Sequence, residues 1–94
     1  PGQDLRRELL RVAEQEKLEA AAIVTCVGSL TKVTLRFANQ EAGTAIEGHH
    51  LEIVSLVGTL SRTGCHLHLS VSDEAGTTTG GHLLEGSAVY TTVE

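Results

Sequence analysis

An α+β domain, one N-terminal helix followed by a mainly antiparallel β-sheet, is the fold predicted by three features of the 94-residue sequence. Apolar residues near the start recur at helical spacing. From residue 20 onward, apolar and β-branched runs are separated by short polar or Gly-containing connections. No second helical pattern lies between those runs, so nothing points to βαβ units or a parallel sheet.

The helix is carried by Leu5, Leu9, Leu10, Val12 and Ala13, with Arg6, Arg7, Arg11, Glu14 and Gln15 between them. Asp4 is the N-cap candidate, because its carboxylate can accept from the free N–H groups of the first turn. The helix is expected to end near Lys17 or Leu18. Ala20 to Val27 is almost continuously apolar and reads as a strand buried on both faces. Thr31 to Phe37 alternates, with Val33, Leu35 and Phe37 on one face, and is expected to pair with the preceding strand across Gly28-Ser29. Asn39 to Gly48 reads as a loop.

Leu51 to Leu60 is apolar at both phases, with Gly58 marking a bulge or a close backbone approach. Cys65 to Ser72 alternates cleanly. Cys65, Leu67, Leu69 and Val71 take one face; His66, His68, Ser70 and Ser72 take the other. Asp73 to Gly76 is a hairpin turn, and strands follow over Thr77 to Leu84 and Ser87 to Val93. The last of these strand patterns runs almost to Glu94, so further strands are expected beyond this sequence. Residues 1–94 read as a single domain.

Forty per cent of the residues are hydrophobic, yet there is one Phe, one Tyr and no Trp. The core must be built from aliphatic side chains, and a chain this small gains from oligomerisation. The formal net charge of −5 argues against a sequence-independent grip on nucleic acid, which needs clustered Lys and Arg. No apolar stretch is long enough to span a bilayer. Cys26 and Cys65 read as two reduced, buried thiols rather than a disulfide framework, which fits a cytoplasmic setting, or a nuclear one in a eukaryote.

The most specific feature is His66-Leu67-His68 followed by Gly80-Gly81-His82. A strand period of two places His66 and His68 on one face with Cα atoms about 6–7 Å apart, a workable spacing for two ligands of one metal ion. Antiparallel pairing across the hairpin can bring His82 beside them. Three imidazoles would leave a fourth position open, the pattern of catalytic or ligand-exchanging zinc. Glu85 is the candidate fourth ligand, or the acceptor that orients an imidazole. Against this stands the ordinary occurrence of His on the polar face of an exposed strand. His49 and His50 read as solvated loop residues. Ser70, Ser72 and Asp73 lie near His68, but no sharp turn or oxyanion hole supports a Ser–His–Asp triad. Neither Gly28-Ser29 nor Gly80-Gly81 has the pattern of a phosphate loop.

Taken in order, several segments resemble one family. They are Pro1-Gly2-Gln3-Asp4-Leu5, Gly28-Ser29-Leu30 and the strand from Leu51 to Thr59. The strings Gly64 to Asp73, Gly80-Gly81-His82-Leu83 and Val89-Tyr90-Thr91-Thr92 complete the set. Together they look like the plant-and-prokaryote-conserved (PPC) domain, a domain family of unknown function that includes DNA-binding-protein-like members. The resemblance implies an antiparallel sheet flanked by a helix and assembled into a homotrimer. It also implies a zinc site at His66, His68 and His82. In plants the family domain accompanies an AT-hook that binds DNA, and this sequence has none. Two functions follow: a trimeric assembly or regulatory module associated with DNA binding and carrying a structural or regulatory metal, or a metal-dependent enzyme of unknown substrate. A trimer with no metal at all is the third.

Overall fold

The structure, a computed structural model, describes residues 1–94 apart from the side chain of His49. Helix α1 spans Leu5–Gln15. Six strands follow: β1 (Ala21–Ala22), β2 (Gly28–Arg36), β3 (Thr44–Ser61), β4 (Gly64–Ser72), β5 (Thr78–Leu83) and β6 (Ala88–Val93). All strand pairings are antiparallel, so the α+β, antiparallel expectation holds. No helix among the described residues is long and apolar enough to cross a membrane.

Asp4 caps α1 as expected. Its Oδ1 accepts from the Arg7 N–H at 2.9 Å, while its Oδ2 accepts from the N–H groups of Gly86 at 2.6 Å and Ser87 at 2.9 Å. One carboxylate thus starts the helix and ties it to the turn before β6. Burial pushes the Asp4 pKa up, but the backbone donors of Arg7, Ser87 and Gly86 and the Arg7 charge outweigh it, leaving the group below its usual value. The helix ends at Gln15, short of the expected Lys17 or Leu18, because the chain turns out through a left-handed Lys17 (φ 55°).

The sheet closes on itself. β3 pairs with β2 along its first half and with β4 along its second, β4 pairs with β5, and the end of β5 returns to β2. β1 and β6 extend the edges of β3 and β2. Leu30, Val33 and Leu35 of β2 fill the interior with Leu51, Ile53 and Leu56 of β3, Leu67, Leu69 and Val71 of β4 and Leu83 of β5, and Leu5 of α1 packs on them. This is the aliphatic core that the composition requires.

Three segments differ from the sequence expectation. Thr44 to Gly48 is strand, not loop, because Thr44, Ala45, Ile46 and Glu47 pair with Leu35, Thr34, Val33 and Lys32. His50 consequently lies in β3, where its Nε2 sits 2.6 Å from Glu52 Oε1. The backbone of His49 is in the same strand, and its side chain is outside the described residues. Ala20 to Val27 forms only the two-residue β1, and Val24 is 96% exposed. The segment is an edge with nothing over its outer face, so apolarity alone did not bury it. Nor does β2 pair with β1; its neighbours are β3, β5 and β6.

The apolar double phase of Leu51 to Leu60 has a local cause. The register of β3 against β4 shifts between Ile53 and Ser55. A bulge of this kind moves the inward phase by one residue, so Leu51 and Ile53 before it and Leu56 and Leu60 after it all point inward. Val54 and Val57 are left outside. Cys26 and Cys65 are free and half-buried rather than fully buried.

Candidate metal centre

The outer face of the closed sheet carries the histidines. Leu67 and Leu69 of β4 point into the core, which turns His66 and His68 outward. The β4–β5 turn sets what lies opposite them. Asp73 Oδ1 accepts from the N–H groups of Ala75 at 3.0 Å and Thr77 at 2.9 Å, an Asx-type turn closed by Gly76 at φ 83°. This turn starts the ladder with Ser72 opposite Thr78, and four residues on, His68 is directly opposite His82.

The three imidazoles cluster. Ring centroids are 5.0 Å apart for His66 and His68, 5.1 Å for His66 and His82, and 4.5 Å for His68 and His82. One nitrogen from each ring lies within 4.8 Å of the other two. Tetrahedral bonds of about 2.0–2.1 Å require ligand nitrogens about 3.3 Å apart, a gap that modest side-chain rotation closes. The donor set suits a borderline ion such as zinc, and three protein ligands leave one position free.

The electrostatics at His82 agree with such a role. Partial burial, then the Arg36 guanidinium, then His68 and His66 push the His82 pKa below its usual value. That favours the neutral imidazole, the form that ligates.

Glu85 is placed elsewhere. Its carboxylate meets Arg7 at 3.2 Å and Arg6 at 3.8 Å, and the potential ligand group among the described residues contains the three histidines alone. Ser70 hydrogen bonds to Ser55 across the β3–β4 pair at 2.7 Å, with no triad arrangement. Two residues that sequence reasoning missed border the site. Arg36 of β2 is directly opposite His82, on the other side of β5 from His68. Arg6 of α1 lines the same cleft of about 160 Å³ as Arg36, His66 and His82. No spacing in the sequence links residues 6, 36 and 82; only the closure of the sheet does.

Comparison with known proteins gives consistent neighbours. A curated relative, the bifunctional protein GlmU of Synechococcus sp. (strain JA-2-3B'a(2-13)), is 49% identical over all 94 residues, which span 15% of its length. A solved structure of a hypothetical protein from Salmonella enterica superposes with a TM-score of 0.96 at 49% identity, covering 99% of this chain and 67% of that one. A metal-containing protein from Archaeoglobus fulgidus superposes with a TM-score of 0.76 at 29% identity, covering 98% and 68%. A candidate DNA-binding protein from Bacteroides thetaiotaomicron, 23% identical with a TM-score of 0.80 over 98% and 66%, shares the fold. The Plants and Prokaryotes Conserved (PCC) domain matches residues 1–94, and the chain belongs to that family.

Proposed function

We propose that residues 1–94 form a single metal-binding assembly domain, in which His66, His68 and His82 hold one zinc ion per chain and three chains associate. The convergence of three imidazoles from two strands on one outer face carries the metal part of this reading. The metal-containing relative from Archaeoglobus fulgidus supports it. The homotrimer is supported by the apolar side chains left uncovered beside and along β3. Val24, Val27, Val54 and Val57 are all exposed, and a chain with so small a core gains stability by covering such residues. A cytoplasmic setting suits two free thiols.

When bound, the metal supplies a Lewis-acidic centre with one exchangeable position. The chain supplies the rest. β4 holds two imidazoles two residues apart, and the Asp73 turn holds the third opposite His68. A second reading, a metal-dependent enzyme, is favoured by one observation: two of the three histidines, His66 and His82, line a cleft together with Arg6 and Arg36. In that reading Glu85 is the candidate general base, and its carboxylate stands beside Arg7 and Arg6.

Native mass spectrometry on protein purified without chelator tests both parts of the main reading at once. The expected species has three chains and three metal ions. His66→Ala and His68→Ala should retain the three chains and lose the metal. A metal-free wild type would remove the site, and a monomer at micromolar concentration would remove the assembly.

A further inference from the structure

The histidines belong to a longer row. Reading across four strands, Val57, His68, His82 and Arg36 are successive partners in register. Directly opposed residues project their side chains to the same side of a sheet, so the Arg36 guanidinium shares the outer face with the imidazoles. Arg36 donates from Nη1 to the Gln40 carbonyl at 3.2 Å and meets no carboxylate among the described residues. Arg6 reaches the same cleft from the first turn of α1, and its carboxylate partner, Glu85, is shared with Arg7.

This is an unbalanced arrangement. Two guanidiniums beside a divalent ion held by three neutral ligands repel it and each other. One shared carboxylate does not offset that charge. The imbalance is local, since the whole chain carries −5. An anion between the arginines and the metal position would remove it. Guanidinium is the cation best matched to a planar or tetrahedral oxyanion, because its N–H groups form a fork.

Resting on the three-histidine metal reading, we infer that Arg36, assisted by Arg6, holds a small oxyanion against the open side of the metal centre. The ligand class is a carboxylate or phosphate group. Arg36 is then the residue that selects a negatively charged ligand, and the cleft lined by Arg6, Arg36, His66 and His82 is its seat.

Cobalt(II) tests this, because its visible absorption reports changes at the metal without any assay of activity. Cobalt uptake by the wild type is measured first, with no added anion. Sodium acetate and inorganic phosphate are then titrated in separate arms, which distinguish the two sources of the oxyanion. A saturable spectral change is expected in at least one arm. Arg36→Gln should weaken that anion about tenfold, the loss of one charge-assisted interaction, with cobalt stoichiometry unchanged. Arg36→Lys, which keeps the charge but not the fork, should fall between. Arg36 lies outside the core, and far-UV circular dichroism would verify that the variants fold. Unchanged anion affinity in Arg36→Gln, or no saturable change in either arm, would overturn the inference while leaving the metal site standing. A wild type that takes up no cobalt would overturn the metal reading itself, and the inference with it.

Discussion

Asp4 shows how much one side chain can coordinate in a small domain. It caps α1 through Oδ1 and receives two backbone N–H groups from the Gly86–Ser87 turn through Oδ2. Asp4→Ala should therefore cost about 2 kcal/mol at neutral pH, the sum of a lost cap and two weakened hydrogen bonds. The effect depends on pH. The folded-state pKa is lowered, so the carboxylate stabilises the fold above the unfolded value of about 3.9 and stops doing so as pH falls through the lower folded value. Urea melts at pH 7 and near pH 3 check this: the gap between wild type and Asp4→Ala should be smaller in the second than in the first. The cap was legible in the sequence. Its other two donors were not, since Gly86 and Ser87 lie more than eighty positions away.

At the scale of elements, β3 and β4 determine where the histidines point. Gly58 is central to their pairing. It adopts φ 148°, and a Cβ there would collide with the backbone carbonyl of His66. The close approach expected at this glycine is thus directed at the backbone of a candidate metal ligand. Gly58→Ala should destabilise the domain by about 2 kcal/mol or more, through strain at positive φ and displacement of β4. It should also weaken metal binding, because His66 moves relative to His68 and His82. Thermal unfolding and a zinc-chelator competition on the same sample would show both effects; a loss of stability with unchanged metal affinity would contradict the link. The alternation of Cys65 to Ser72 was enough to place His66 and His68 together on one face. The strand over Thr44 to Gly48 was hidden because its residues gain their partners from β2, nine or more positions earlier in the chain.

For the molecule as a whole, charge and shape bear on partners. A net charge of −5 on 94 residues works against a general attraction to a phosphate backbone. Arg6 and Arg36 form a small pocket of opposite sign, suited to a single anion rather than to a duplex. Weak or undetectable binding of duplex DNA at physiological salt is expected of this domain alone. A gel-shift assay giving sub-micromolar affinity under those conditions would refute that. The exposed apolar side chains Val24, Val27, Val54 and Val57 form the surface on which the proposed association of chains would rest.

Local pattern was sufficient for what depends on neighbours in sequence. The helix and its Asp4 cap, the faces of β2 and β4, the Asp73 turn and the family itself can all be read from spacing and residue type. Tertiary structure decided what depends on pairing between distant segments. It brought His82 opposite His68, put Arg36 on the other side of His82, drew Glu85 away to Arg6 and Arg7, and left Ala20 to Val27 as a thin, exposed edge. The physical reason is the same in each case. A strand's own period says which side chains share a face, but register across a closed sheet says which of them meet, and register is set by turns, bulges and partners far away in the chain.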